Sequence, residues 1–171
     1  MSDAYMLDPA RSTVEFAVRH VYGLRRVRGR FTRFTGRLDL AREPAVTLTI
    51  DASSVDTGRV RRDRRLRSPR FLDATVYQEV RFVAETVDLQ DERLTAAGWL
   101  DASGHRIALV VEATVARHDD HLELTARAAV DHRRLAMTWS PLGMVRAPSA
   151  VTVRAYLVPA GDRAAVAVPV A

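Results

Sequence analysis

The His118–His121 segment has the sequence His-Asp-Asp-His, and imidazoles and carboxylates are ligands for divalent metals. The same residue types are common in tight turns, and the segment separates two stretches in which apolar and polar residues alternate. We therefore interpret it as a turn between strands and predict no metal site. The other histidines, His20, His105 and His132, are expected at strand ends, where a polar side chain is more often a satisfied rim group than a ligand.

The densest charge lies in Gly58–Arg70, where seven residues are arginine. Three interpretations stay open: a site for phosphate or another anionic head group, a nucleic-acid surface, and a solvated or salt-bridged helix, which is favoured. Nucleic acid is not expected as a partner, because few aromatic residues are interleaved for base stacking. All 26 basic residues of the chain are arginine, which is typical of a GC-rich gene and accounts for part of the net charge of +5.

Signatures of common enzyme classes are absent from the sequence. It contains no Gly-x-Ser-x-Gly motif, no Walker A loop, no Gly-x-Gly-x-x-Gly motif and no His-Glu-x-x-His motif. It also contains no cysteine, which excludes thiolate chemistry and is consistent with a cytoplasmic protein. We predict no catalytic residues. The alternative is a lipid-modifying enzyme whose reactive groups, such as His20, Asp56 or Arg62, lie at the rim of a binding tunnel.

Apolar and polar residues alternate along most of the chain, which is the pattern of half-buried β-strands. The predicted strands are Ser12–His20, Val27–Leu40, Val46–Ala52, Val80–Glu85, Arg93–Asp101, His105–Ala116, His121–His132 and Val151–Val158. Such spacing indicates an all-β sandwich or barrel, here an eight-stranded antiparallel barrel with a short helical insertion after the third strand. A slip in spacing between Phe31 and Phe34 predicts a bulge or a bend, and a loop is predicted over Ser140–Ser149. Alternation does not distinguish a hollow lumen from a filled one.

The chain is expected to form one domain over residues 1–159, followed by a disordered Ala/Val/Pro-rich tail over residues 160–171. No run of about 18 apolar residues predicts a transmembrane helix. The segment Met1–Pro9 has neither the basic nor the apolar region of a signal peptide, so we expect a cytoplasmic location.

Several ordered motifs resemble one known family. They are Tyr5–His20 (Y-x-L-D-P-x-x-S-x-V-x-F-x-V-R-H), Val27–Leu38 (V-x-G-x-F-x-x-F-x-G-x-L), Ile50–Gly58 (I-D-A-S-S-V-D-T-G), Arg62–Phe71 (R-D-x-x-L-R-S-x-x-F) and Tyr77–Phe82 (Y-x-x-V-x-F). In these motifs the chain resembles the YceI-like family of polyisoprenoid-binding proteins, which have a lipocalin-like barrel. The resemblance extends from about Tyr5 to Val158.

The sequence departs from the family pattern at three places. Arg65 stands where the family usually has histidine, and Gln78 stands where it usually has proline. In Arg133–Met137 the acidic residue and the glycine that the family commonly shows are missing. This last departure leaves open whether the family's turn and salt bridge form at that end of the barrel.

The resemblance implies that a polyisoprenoid lipid, a polyprenyl chain or the tail of an isoprenoid quinone, binds in an apolar lumen. The protein would then be a carrier, a reservoir or a sequestration protein, needing no other cofactor, and a homodimer is a family-level expectation. The residues expected to line the lumen are Phe16, Val18, Phe31, Phe34, Leu38, Leu48, Ile50, Leu66, Phe71, Phe82, Leu100, Leu109, Val111, Leu124, Met137 and Trp139. Those expected at the mouth are His20, Asp56, Arg62 and Asp63. The pairs Asp56-Thr57 and Arg62-Asp63 either form a network that caps the helical insertion, the favoured interpretation, or hold an anionic or quinone head group.

Overall fold

A computed structural model of the protein describes residues 3–20, 25–137 and 145–161. These residues form twelve strands, one α-helix and two short 3₁₀ helices. The strands are β1 (Ala4–Leu7), β2 (Thr13–His20), β3 (Arg25–Phe31), β4 (Phe34–Asp39), β5 (Val46–Asp51), β6 (Val55–Asp56), β7 (Glu79–Ala84), β8 (Val87–Gln90), β9 (Arg93–Ala102), β10 (His105–Arg117), β11 (Leu122–Val130) and β12 (Val145–Pro159). The helices are η1 (Ala52–Ser54), α1 (Val60–Arg67) and η2 (His132–Leu135).

The strands close into an antiparallel barrel with eight wall positions. The order runs β1-β4-β5-β7-β9-β10-β11-β12, and β12 pairs back onto β1 through Tyr5 with Pro159 and Leu7 with Leu157. The remaining strands share wall positions with strands of the ring. β2 pairs with β12, β3 pairs with β2, β6 pairs with β3, and β8 pairs with β9. The predicted eight-stranded barrel with a helical insertion is confirmed. In the described part of the chain, no helix is long and apolar enough to cross a membrane.

The second predicted strand is interrupted where its spacing slips. The chain bends there, as one of the two predicted possibilities, but the prediction of one continuous strand over Val27–Leu40 was wrong, because β3 ends at Phe31 and β4 begins at Phe34. The Ser54 side chain accepts hydrogen bonds from the backbone nitrogens of Thr32 and Arg33 at 3.2 and 3.1 Å. A side chain thus satisfies these two donors where the ladder breaks, and the strand can change its neighbours at this point.

Other differences from the sequence prediction concern short or irregular segments. The strands β1, β6 and β8 have two to four residues, too few for alternation to mark them. The loop predicted over Ser140–Ser149 was too long, because β12 already begins at Val145 and shifts register between Arg146 and Ala150. Residues 138–144 of that loop, and residues 162–171 of the predicted tail, lie outside the described residues.

The long strands keep one face toward the interior of the barrel. In β11, Leu122, Ala126 and Val130 are buried, while Glu123 and Ala129 are exposed. Inward side chains from every wall position join a single buried cluster that extends from Tyr5 to Leu157. Apolar residues that alternate along a strand therefore point into the barrel, and the polar residues between them point outward. The candidate binding site lies on the inside.

Candidate ligand-binding lumen

The barrel encloses a cavity of about 730 Å³. Fourteen of the sixteen residues predicted for the lumen line it: Phe16, Val18, Phe31, Leu38, Leu48, Ile50, Leu66, Phe71, Phe82, Leu100, Leu109, Val111, Leu124 and Met137. The structure adds large apolar side chains that the prediction did not name: Leu7, Val14, Val27, Val46, Val55, Leu72, Val80, Leu94, Val130, Leu135, Val151, Val153 and Leu157. Most of these follow the same alternation, so applying the period to every strand would have found them.

Two predicted lumen residues need separate mention. Phe34 is buried, with 7% of its surface exposed, but it does not line the cavity, so its assignment to the lumen was wrong. It is the first residue of β4 and pairs with Ile50, whereas Gly36 and Leu38 of the same face do line the cavity. At this end of β4 the Phe34 side chain packs within the buried core and not against the open cavity. Trp139 lies outside the described residues.

Strand register decides which side chains lie beside one another on the cavity wall. Leu109 and Val111 of β10 pair with Gly98 and Ala96 of β9, so large side chains stand beside small ones. The small Ala96 lines the cavity beside Val111, whereas the backbone of Val83 closes off the space in front of Gly98. On the adjacent strands β2 and β3, the rings of Phe16 and Phe31 lie 5.6 Å apart at an angle of 48°.

Arginines of the helical insertion line one part of the cavity. Arg59, Arg61, Arg62 and Arg65 come from α1 and the residue that precedes it. Within the part of the chain that the structure describes, the side chains of Arg59, Arg61 and Arg62 form no hydrogen bond or ion pair. Other arginines of the barrel do have partners: Arg30, Arg33, Arg106 and Arg154 pair with Asp56, Asp51, Asp101 and Glu15. Arg59, Arg61 and Arg62 thus have unused donors among the described residues.

The two aspartates predicted for the mouth do not line the cavity. Asp63 is buried, and its carboxylate accepts hydrogen bonds from the backbone nitrogen of Thr57 at 2.8 Å and from its hydroxyl at 2.6 Å. Asp56 accepts from the backbone nitrogen of Gly58 at 2.8 Å and pairs with Arg30, and these contacts lower the pKa of its carboxyl. Both carboxylates therefore hold the start of α1 in place.

Of the four residues predicted for the mouth, Arg62 alone lines the cavity among those whose side chains the structure describes. The backbone of His20 ends β2 and pairs with Val145, and its side chain lies outside the described set. From the sequence, the arginine-rich segment stayed open as a site for an anionic head group, but Arg62 was the only arginine of the segment assigned to the mouth. The side-chain directions of the α1 arginines depend on how α1 packs over the barrel.

His132 and Ser149 form a polar pair inside the cavity that the sequence analysis missed. Both residues are buried and line the cavity, and the His132 Nδ1 and Ser149 Oγ atoms are 2.9 Å apart. Burial lowers the pKa of His132, and the neighbouring Asp131 opposes this effect. The prediction that His132 is a rim group was wrong, because η2 turns the chain inward directly after β11. His105, in contrast, is exposed on the turn between β9 and β10.

A serine–histidine pair is also the smallest unit of nucleophilic catalysis, in which a third group orients the base. No aspartate or glutamate is among the described residues that line this cavity. The His132 Nε2 atom has no hydrogen-bond partner in the described chain, and Asp131 is engaged by Arg133. The geometry therefore offers a ligand the Nε2 atom of His132 as a hydrogen-bonding group inside the cavity.

The turn at Arg133–Met137 forms despite the departures in its sequence. Ala136 adopts the left-handed conformation, with φ of 54°, in place of the expected glycine. Asp131, on the other side of Arg133, supplies the carboxylate of a salt bridge at 3.0 Å. Hydrogen bonding to Arg133 lowers the pKa of Asp131 to about 2. The end of the barrel thus keeps a closed turn with a different acidic partner.

Sequence comparisons agree with this fold. A model of the YceI-like domain matches residues 5–158 of the chain. The protein YceI of Shigella flexneri is 32% identical over 111 residues, which cover 63% of this chain and 58% of that protein. A UPF0312 protein of Vibrio cholerae is 30% identical over 118 residues, covering 64% of this chain and 61% of that protein. The chain therefore matches about three fifths of the length of these relatives.

Solved structures show the same architecture. Burkholderia cenocepacia BcnA superimposes with a TM-score of 0.78 at 18% identity, covering 88% of this chain and 98% of that one. A polyisoprenoid binding domain from Saccharophagus degradans, implicated in plant cell wall breakdown, superimposes with a TM-score of 0.76 at 16% identity, covering 93% and 99%. At these identities the similarity establishes the fold alone.

Proposed function

Since the chain belongs to the YceI-like domain family, we propose that it binds a long-chain polyisoprenoid lipid in the barrel lumen. The ligand would be a polyprenyl chain or the tail of an isoprenoid quinone, and the protein would act as a carrier, a reservoir or a sequestration protein. The observation that carries the proposal is the cavity of about 730 Å³ with its largely hydrocarbon lining. That size falls within the range of roughly 300–1,000 Å³ typical of small-molecule sites.

The chemistry of an isoprenoid explains why such a lining suits it. An isoprenoid chain has almost no hydrogen-bonding groups, so its affinity must come from apolar area removed from water, at about 25 cal/mol per Å². A wall of leucine, valine and phenylalanine provides that area. The Saccharophagus degradans neighbour with this barrel is described as a polyisoprenoid binding domain, which supports the same class of ligand here.

The arginines of α1 support an anionic head group at the mouth. Arg59, Arg61 and Arg62 line the cavity and carry no ion pair in the described structure. Phosphate groups accept hydrogen bonds from guanidinium groups in a bidentate geometry. A polyprenyl phosphate would therefore place its chain in the lumen and its phosphate against these side chains.

Organic extraction of freshly purified protein, followed by mass spectrometry, tests the ligand class. We expect an isoprenoid at a stoichiometry near one per chain, and recovery of a different lipid class would overturn the proposal. Ala128→Phe, which fills the cavity, should abolish uptake of added polyprenol. The matched control is Ala129→Phe on the exposed face of the same strand, which should bind as the unmodified protein does.

Charge reversal on α1 tests the head group. Arg62→Glu should weaken binding of a polyprenyl phosphate at least tenfold and leave binding of the uncharged polyprenol unchanged. Arg64→Glu makes the same change of charge on the same helix at a residue that does not line the cavity, so it controls for net charge. Equal effects of the two variants would exclude the head-group site while leaving the lumen proposal standing.

The other parts of the proposal have their own tests. Recovery of an added lipid unchanged after incubation would support a binding protein over a lipid-modifying enzyme. Absence of DNA binding at about 50 mM salt would exclude a nucleic-acid function driven by arginine.

Cell fractionation tests the proposed cytoplasmic location, and sedimentation analysis tests the proposed homodimer.

A further inference from the structure

A second group of polar side chains lies on the outside of the barrel, at the turn between β10 and β11. His118, His121 and Glu123 each offer one ligand atom, and these three atoms lie within 4.8 Å of one another. The Nε2 atom of His121 is 3.7 Å from one carboxylate oxygen of Glu123, and that of His118 is 3.9 Å from the other. None of the three residues lines the lumen.

The ligand set differs from the one that the sequence offered. The turn is closed by a hydrogen bond from the backbone nitrogen of His118 to the backbone oxygen of His121, at 3.0 Å, and needs no imidazole. Glu123 lies on β11 beyond the turn, paired with Ala116 and Tyr156 of the neighbouring strands. Alternation along β11 directs its carboxylate outward, to the same side as the two imidazoles.

Asp120 prepares His121 for coordination. Its carboxylate oxygen lies 2.6 Å from His121 Nδ1, within hydrogen-bond distance. A carboxylate bound to one ring nitrogen fixes the tautomer and leaves the lone pair on the other nitrogen, as is usual for histidines that bind metals. The lone pair then belongs to Nε2, which faces Glu123.

A stack of side chains holds the His121 ring in place. The ring stacks on Tyr156 at 4.2 Å, and the guanidinium of Arg11 lies 3.6 Å from the centre of the Tyr156 ring on β12. Only 15% of the His121 side chain is exposed, against 44% for His118. One imidazole is therefore fixed, and the other is free to adjust.

We propose that His118, His121 and Glu123 form a surface site for a divalent transition metal, with Zn²⁺ as the simplest probe. Two imidazoles and one carboxylate are a ligand set for zinc, at about 2.0–2.2 Å from the ion. The rings of His118 and His121 are stacked 4.3 Å apart and within 7° of parallel, so their lone pairs do not yet converge. Rotation of the exposed His118 side chain brings its nitrogen toward the ion, and a fourth position stays open for water.

Titration of Zn²⁺ into the full chain, purified without a histidine tag and stripped with chelator, tests the site. We expect one Zn²⁺ per chain and loss of that binding in His118→Ala and in Glu123→Gln. Asp120→Asn, which removes the group that orients His121, should weaken binding by about tenfold. His105→Ala changes an exposed histidine on another turn and should leave binding unchanged.

A second measurement separates coordination from loss of structure. In NMR spectra of the imidazole nitrogens, Zn²⁺ should shift the Nε2 resonances of His118 and His121 and leave those of His105 in place. Thermal unfolding without metal should be nearly the same for His118→Ala and the unmodified chain, because the ring lies at the surface and is not part of the buried core. Binding that persists in a His118→Ala, Glu123→Gln double variant, or that is lost equally in His105→Ala, would overturn the proposal.

Discussion

The two halves of the barrel wall differ in continuity. The strands of the first half, β1–β8, are two to eight residues long and share four wall positions, two segments to a position. The strands of the second half, β9–β12, are nine to fifteen residues long, and each occupies a position alone. Unbroken strands give a wall with one apolar face. Breaks in the first half allow α1 and its arginines to lie beside the cavity, so the mouth is built where alternation stops.

The largest effect is expected where the two halves meet. A Cβ atom at Gly98 of β9 would lie 2.1 Å from the backbone oxygen of Val83 on β7, which has no freedom to move away. We expect Gly98→Ala to lower the free energy of unfolding by about 3 kcal/mol, measured by urea denaturation.

The control for this prediction lies within the broken half. At Gly36 of β4 the nearest atom to an added Cβ is the end of the Leu7 side chain, at 3.1 Å, which can rotate. Gly36→Ala should therefore cost less than about 1 kcal/mol. Equal losses of stability in the two variants would contradict the expectation that the Val83 backbone cannot move away from an added Cβ whereas the Leu7 side chain can.

A smaller, pH-dependent effect is expected at η2, where the second half turns inward. The pKa of His132 in the folded protein lies below its ordinary value of 6.5, because burial disfavours the charged ring. Between the pKa of His132 in the folded protein and about 6.5, the unfolded chain therefore binds more protons than the folded one. The contribution of neutral His132 to stability is fully present above about pH 6.5 and is lost as the pH falls toward the pKa in the folded protein.

His132→Gln removes the titrating group and can keep a hydrogen bond to Ser149. The loss of stability between about pH 7 and pH 5, measured by thermal unfolding, should be smaller in this variant than in the unmodified protein. His105→Gln, at an exposed site, should retain the full pH dependence. An unchanged slope in His132→Gln would show that burial of this ring does not govern the effect.

The smallest effect concerns the backbone of the same turn. Ala136 holds a left-handed conformation, which costs a residue with a Cβ about 1 kcal/mol more than glycine. Ala136→Gly should raise the free energy of unfolding by up to about 1 kcal/mol, partly offset by the greater freedom of glycine in the unfolded chain. Ala129→Gly, on a regular strand, should have the opposite sign, and the comparison is readily made by urea denaturation.

Prediction from the sequence succeeded where the signal is local and repeated. Long alternating stretches gave β9, β10 and β11 to within about two residues at each end, because each strand carries enough turns of its period to be recognised. The strands β1, β6 and β8 are too short for that signal. The lumen residues on the strands followed from the same alternation, except Phe34, which packs at a strand end. Leu66, Phe71 and Met137 line the cavity from outside the strands, and Trp139 lies outside the described residues.

Polar groups were harder to place, because spacing gives their face but not their neighbours. His132 meets Ser149, which lies seventeen residues away, only because β11 and β12 pair and η2 turns inward. Glu123 joins the two turn histidines because the hairpin brings it back beside them. For Asp56 and Asp63, spacing left open whether they cap the helical insertion or hold a head group, and their contacts with Gly58 and Thr57 agree with the favoured interpretation, a structural cap.

By itself the sequence determined an antiparallel barrel, the face that each long strand turns inward, and the position of the charged helical insertion. These properties depend on residue order within about ten positions, where period and turn chemistry act directly. Only the tertiary structure decided that the lumen is hollow, that three arginines beside it lack partners among the described residues, and that two histidines and a glutamate converge outside it. The lumen depends on distances between strands far apart in the chain. The two polar clusters depend on the directions of side chains at α1 and at the turn between β10 and β11, which alternation does not encode.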